Sequence, residues 1–216
     1  MEISAKMVKE LRDRTLAGFT DCKKALVECD GDMDKASEYL RKKGLVTAQK
    51  KAGRVAAAGV IHSYIHMGGK IGVLVEVNCE TDFVAKTEQF IEFVHDMGLQ
   101  IAAMNPGWLV PEDVPAAALE KEREIRAAQA AETGKPEKVI PKIVEGQLKK
   151  WYTEVCLMEQ PFVKEAKKDI KTLLTELVAA VGENCKVRRF VRWEVGEGIE
   201  STKKDFAEEI RELTAR

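Results

Sequence analysis

The chain has 216 residues, enough for one domain or for a small domain beside a larger one. With 35 Lys and Arg against 36 Asp and Glu, its formal charge of −1 excludes an overall field for nucleic acid or an anionic membrane. Five cysteines without C-x-x-C spacing, and no apolar run near the roughly 20 residues a membrane span needs, predict a soluble cytoplasmic protein with reduced thiols and no structural zinc. The N-terminal "MEISAKMVKELRDRT" mixes acidic with basic residues and has no apolar segment, which predicts neither a signal nor a transit peptide.

In the first 45 residues the spacing predicts three short helices. Ser4 is placed to cap the first, whose Met7, Val8 and Leu11 share a face, and Gly18 to break it. The second, from about Asp21 to Cys29, gathers Cys22, Ala25, Leu26 and Cys29. Asp32 caps the third, which Gly44 is placed to end. A bundle this small suits a docking module, or one that merely packs on the rest of the chain. Residues 1–56 carry 13 basic and 9 acidic side chains while the rest is acidic, which fits an acidic protein partner or simply a solvated surface.

Residues 46–57, rich in Lys and Arg, read as a linker, partly helical. "GVIHSYIH" and "KIGVLVEVN" flank "MGG" and predict two antiparallel strands turning at Gly68-Gly69, with Ile71, Val73, Val75 and Val77 on one face. A helix starting at Asp82 covers that face through Phe83, Phe90, Val94, Met97 and Ile101, with Val84, Ile91 and Gly98 widening the stripe. A proline-punctuated loop over 105–115 leads to two helices, about 116–131 and 137–152, the first poor in large apolar residues and read as a solvated arm. "EVCLMEQPFVKE" is an apolar knot ended by Pro161. Ile170, Leu173, Leu174, Leu177, Val178 and Val181 mark a buried helix that Gly182 terminates. "CKVRRFVRWEV" predicts a third strand with Val187, Val191, Trp193 and Val195 on one face, and a last helix closes the chain. The pattern is α+β, a three-stranded antiparallel sheet packed by helices behind a helical bundle: bundle 1–45, linker 46–57, core 58–198 with an arm at about 116–152, and C-terminal helix 199–216.

The inventory of chemical groups argues against an enzyme. No phosphate-binding glycine loop is present, and "MGGKIG" lacks the strand-to-helix setting such a loop needs. His62, Tyr64 and His66 share one strand face without a third metal ligand in view, and read as exposed face residues. His95 has no serine or cysteine nucleophile nearby in sequence. No metal or cofactor is expected. The candidate binding residues lie in "NCETDFVAK", where Thr81 and Asp82 start a helix and Phe83 occupies its first turn; Phe83 reads equally as a core staple or as a protruding anchor.

Three stretches resemble the elongation factor Ts family in order: "NCETDFVAK", "LMEQPFVK" and "VRRFVRWEVGEGIE", preceded by "VKELRDRTLAGFTDCKKALVECDGDMDKASEYLRKKG", which is similar to that family's ubiquitin-associated-like bundle. The resemblance implies a nucleotide-exchange factor for the GTPase elongation factor Tu. Asp82 and Phe83, flanked by Thr81 and Val84, would then intrude near the GTPase's magnesium and phosphates, while Lys9, Arg12 and Phe19 would dock its nucleotide-binding domain. It also implies the compact form of the family, for which a homodimer is expected. Leu16, Phe19 and Ala58 depart from the family's usual glycine, methionine and acidic residue, and Phe19 is still expected to dock. Two other readings stand beside this one: an adaptor that binds through the bundle alone with Phe83 buried, and a ribosome-associated protein using Lys42, Lys43, Lys50, Lys51 and Arg54 as a basic strip.

Overall fold

The computed structural model describes residues 3–15, 17–132 and 136–199. Leu16 and, apart from Ile199, the expected C-terminal helix lie outside them.

Helices α1 (Ala5–Thr15), α2 (Phe19–Glu28) and α3 (Met33–Lys51) form the bundle. Their apolar positions meet in a small core of Val8, Leu11, Cys22, Ala25, Leu26, Ala36 and Leu40. Asp32 caps α3 by accepting from the backbone N–H groups of Asp34 and Lys35, both at 3.0 Å. The helix does not stop at Gly44 but continues through it to Lys51. Gly44 is buried where α3 crosses helix α8 (Ile170–Val181), and a Cβ there would come within 3.3 Å of the Ala179 Cβ. The glycine serves close helix packing, which the sequence pattern cannot tell from a stop. The expected linker is accordingly helical over its first six residues.

Strands β1 (Ala58–His66) and β2 (Ile71–Cys79) form the expected hairpin, and β5 (Lys186–Glu194) joins the other edge of β2 to give an antiparallel sheet ordered β1-β2-β5. Ile71, Val73, Val75 and Val77 do share a face, and the last three are buried. Helix α5 (Glu88–Met104) lies against it with α8 alongside, so that Phe90, Phe93, Val94, Met97 and Ile101 meet the valines in one core.

The outer strand differs from expectation. A bulge between Glu76 and Val77 of β2 leaves Arg188 without a cross-strand partner, because Val77 pairs with Val187 and Glu76 with Arg189. Val187 therefore faces the core, whereas Val191, Trp193 and Val195 fall on the opposite, exposed face. Glu76 draws both arginines to that outer face, at 2.7 Å to Arg188 and 2.6 Å to Arg189, and the two guanidinium groups pull its carboxyl down to about 2.

Two elements leave or line the core. Helices α6 (Ala116–Glu132) and α7 (Ile140–Val155) form the arm, packed on each other around Ala130, Val144 and Leu148 as a cluster of its own. The stretch after α7 forms a small hairpin, β3 (Pro161–Phe162) with β4 (Glu165–Asp169), which the sequence pattern does not reveal. Its root is held by two buried glutamines. Gln100 Nε2 donates to Gln160 Oε1 and to the Pro161 carbonyl, both at 3.1 Å, and Gln100 Oε1 accepts from Val163 N–H at 2.9 Å. Gln160 Nε2 donates to the Glu154 carbonyl at 2.9 Å, so the pair is buried with its polar groups satisfied. The "LMEQPFVK" stretch is thus a structural brace for α5, extended by the Lys164–Asp96 ion pair at 2.5 Å.

Close approach of α5 to β1 requires Gly98: a Cβ there would lie 2.8 Å from Tyr64 Cβ and 3.4 Å from His62 Cδ2. Gly98→Ala gains about 0.8–1 kcal/mol of helix propensity but forces overpacking against the Tyr64 and His62 side chains of β1, at the short, stiff Tyr64 Cβ above all, which typically costs about 1–3 kcal/mol. The variant should be less stable in urea unfolding, the opposite of the sign propensity alone gives.

Candidate functional site

The polypeptide leaves β2 at Cys79 and makes a four-residue helix, α4 (Asp82–Ala85), before α5 begins. The expected single helix from Asp82 is therefore broken. Lys86 ends α4, and Thr87 starts a new helix by accepting from Phe90 N–H at 3.4 Å. The break rotates Phe83 off the core stripe. Phe83 is 87% exposed, whereas Phe90 is fully buried and Val84 and Ala85 are 8% and 6% exposed. Ile91, expected to widen the core stripe, is also exposed. The ambiguity over Phe83 resolves to the protruding side chain.

Exposing a phenyl ring forgoes roughly 1.5–3 kcal/mol of burial, and a single exposed apolar residue on a loop would need no explanation. Here the backbone beneath it is held from several sides. Thr81 caps α4, its hydroxyl accepting from Val84 N–H at 3.4 Å while donating to Glu183 Oε1 at 2.7 Å. Glu183 Oε2 accepts from the N–H groups of Glu80 and Thr81, at 3.1 and 3.0 Å. Glu80 in turn accepts from Asn184 N–H at 2.6 Å. Buried Val84 and Ala85 fasten the other side of α4 to the core. An aromatic presented on so short and constrained a helix loses little freedom when a partner covers it.

Thr81, Asp82 and Phe83 are exposed and form one tip; Val84 is its buried foot. Lys9 and Arg12 on α1 and Phe19 at the start of α2 are also exposed, but they belong to the bundle rather than to the tip. Glu183 and Asn184 were not singled out by the sequence. Their only trace there is a polar pair directly after the helix-ending Gly182, and nothing in sequence says that this loop meets residue 80. Cys79 beneath the tip is buried, donates to the Thr81 carbonyl at 3.1 Å, and has its thiol pKa raised by burial, so it is a packing residue rather than a reactive one.

The histidines are placed differently from expectation. His62, Tyr64 and His66 face α5 and are half-buried, while Ile61 and Ile65 take the exposed face. The cause is register: β1 pairs His62 with Val75 and Tyr64 with Val73, which puts them on the valine side. His95 packs edge-on against both His62 and Tyr64, with ring centroids 5.6 Å apart in each case, and burial lowers the His62 pKa. Among the described residues no group of three or more His, Cys, Asp or Glu is placed to hold a metal, and no helix is long and apolar enough to cross a membrane.

Fold and site together define an α+β protein that carries a three-helix bundle with its own small core and an exposed aromatic tip held from several sides. A sequence model of the family described as Elongation factor TS matches residues 33–197. The chain is 58% identical to the elongation factor Ts of Desulforamulus reducens over 97% of its own length and 96% of that protein. It is 58% identical to that of Carboxydothermus hydrogenoformans over 96% of each chain, and 55% identical to that of Alkaliphilus oremlandii over the whole of both. The chain belongs to the elongation factor Ts family, and it is a translation elongation factor.

The burial contrast within the 83–90 segment gives a stability test. Phe83→Ala should leave urea unfolding within about 0.5 kcal/mol of the natural protein, as for a surface position. Phe90→Ala should cost about 3–5 kcal/mol. A large loss for Phe83→Ala would place its ring in the core instead.

Proposed function

We propose that the protein is a guanine nucleotide exchange factor for elongation factor Tu. The observation that carries this reading is Phe83, 87% exposed on a helix whose other face is buried. In this reading the bundle docks the GTPase through Lys9, Arg12 and Phe19, and the Asp82–Phe83 tip inserts near the magnesium and phosphates of bound GDP. The phenyl ring displaces packed side chains there, and the nucleotide loses the geometry that held it. The exposed Thr81 lies at the tip's edge, and the buried Val84 fixes its depth.

Linkage sets the energetic requirement. A factor that weakens GDP binding must itself bind the empty GTPase more tightly than the GDP-bound one, by the same ratio. GTP entry then displaces the factor. No covalent bond changes, so the protein acts without catalytic acids, bases, metal or cofactor of its own, in the cytoplasm where translation proceeds.

A homodimer is part of the same proposal. The outer sheet face exposes Ile61, Ile65, Leu74, Val191 and Trp193. Register places Ile65, Gly72 and Trp193 in one cross-strand row and Ser63, Leu74 and Val191 in the next, so the apolar groups are contiguous. Stacked sheets pack about 10 Å apart, and one such face is complementary to a copy of itself about a two-fold axis.

The rival readings fit less well. A bundle-only adaptor predicts a buried Phe83. The basic strip is largely engaged within the molecule: Lys42 pairs with Glu38 at 2.9 Å, Lys43 with Asp21 at 2.7 Å and Arg54 with Glu80 at 3.5 Å, while Lys51 donates to the Gly182 carbonyl.

Stopped-flow release of fluorescent GDP from elongation factor Tu tests the exchange reading. The natural protein should accelerate release, and Phe83→Ala should lose most of the acceleration while remaining folded. No acceleration at concentrations where the two proteins bind would overturn it. Sedimentation velocity tests the dimer: the natural protein should sediment at twice its 24.1 kDa chain mass and Trp193→Asp as a monomer, with a monomeric natural protein overturning that part.

A further inference from the structure

We propose that Glu183 is the positioning residue of the tip, an inference that deepens the exchange reading and rests on it. The carboxylate lies in the loop between α8 and β5, about a hundred residues away in sequence from the segment it holds. It is half-buried, and it accepts three hydrogen bonds from two consecutive residues: Glu80 N–H at 3.1 Å, Thr81 N–H at 3.0 Å and the Thr81 hydroxyl at 2.7 Å.

The third of these bonds matters most to the tip. A threonine hydroxyl has one proton to donate, and it is directed at Glu183 Oε1; the oxygen's lone pairs are then left to accept from Val84 N–H, the bond that caps α4. Without the carboxylate the hydroxyl is free to rotate, and its proton can point at the amide it should accept from. The two backbone bonds fix the plane of the peptide entering α4. Bonds to a charged acceptor are the stronger kind, and these three converge on one group. With only four residues, α4 cannot supply this rigidity from its own backbone.

The same loop is fastened on its far side to the end of the bundle. Asn184 Nδ2 donates to the Arg54 carbonyl at 2.7 Å and to the Ala52 carbonyl at 3.4 Å, and Lys51 donates to the Gly182 carbonyl. Arg54 closes the circuit by pairing with Glu80 at 3.5 Å. The loop thus sits between the final turn of α3 and the tip. Two contact surfaces on one partner are engaged together only if their separation matches the partner's, and a fixed connection removes the search that a loose one requires. Glu183 acts through Phe83 by holding the peptide that carries it, and need not touch the partner.

The test separates positioning from general folding. In Glu183→Ala the amide protons of Glu80, Thr81 and Val84 should exchange with solvent about tenfold faster, as expected when hydrogen bonds to a charged group are lost, while those of the β2 valines stay protected. In GDP release from elongation factor Tu, the saturating rate should fall about tenfold with the half-saturating concentration little changed, because the bundle still docks. Glu183→Gln keeps one acceptor oxygen and should recover part of both effects. In a Phe83→Ala background the added Glu183→Ala change should have no further effect on release, since both act at one tip. Unchanged amide exchange at residues 80–84, or an equal loss of release rate with and without Phe83, would overturn the proposal. Absence of any acceleration of GDP release by the natural protein would instead overturn the exchange reading, and the amide measurement would still decide whether Glu183 positions the tip.

Discussion

The packing of α5 on the inner face of β2 is the constraint from which the rest of the molecule hangs. Val73, Val75 and Val77 alternate along the strand, and Phe90, Val94, Met97 and Ile101 recur along the helix, so each element presents one apolar side to the other. Once that seam forms, the six residues Glu80–Ala85 must turn the chain from the sheet into the helix layer. They do so with only two buried side chains, Val84 and Ala85; Glu80 is half-buried, and Thr81, Asp82 and Phe83 are left exposed. Phe83 is exposed because the seam is complete without it.

That seam explains what was legible. The two periods, two along the strands and about 3.6 along α5 and α8, were strong enough to predict the sheet, its covering helices and the bundle, and so the α+β class. Thr81, Asp82 and Phe83 were marked as candidates by polar helix-start chemistry beside an aromatic. The exposure of Phe83 was not readable, because its spacing to Phe90 suits a continuous helix. What decides the matter is Thr87, a residue that caps a helix when its backbone is extended and is otherwise unremarkable within one.

The other departures share a physical origin in long-range packing. Gly44 looked like a stop because glycine commonly follows a helix, but Ala179 crosses α3 at that point and requires its small size. The face of β5 beyond Val187 departs from simple alternation because one unpaired residue, Arg188, reverses it, and Glu76 of the neighbouring strand holds the bulge by binding both Arg188 and Arg189. His62 and Tyr64 face the helix and not solvent, which the sequence cannot tell because β1 is apolar on both faces, with Ile61 and Ile65 on one and Val60 and Tyr64 on the other. A strand with two such faces contains no local information about which one the helix will cover.

The same reasoning bears on how a small tip can act on a much larger partner. In the proposed exchange, the work an inserted ring can do is limited by how far the tip yields, so that reading requires residues 80–84 to be held in place. A four-residue helix has too few internal hydrogen bonds to be stiff. The rigidity comes instead from Cys79 packed below, Val84 and Ala85 set into the core, and the carboxylate of Glu183 gripping the entry from the side. These supports come from β2, from α4 itself and from the loop after α8, three segments that meet only because the sheet places β5 beside β2. The order of strands, more than any property of the tip sequence, is what makes an exposed phenylalanine a fixed one.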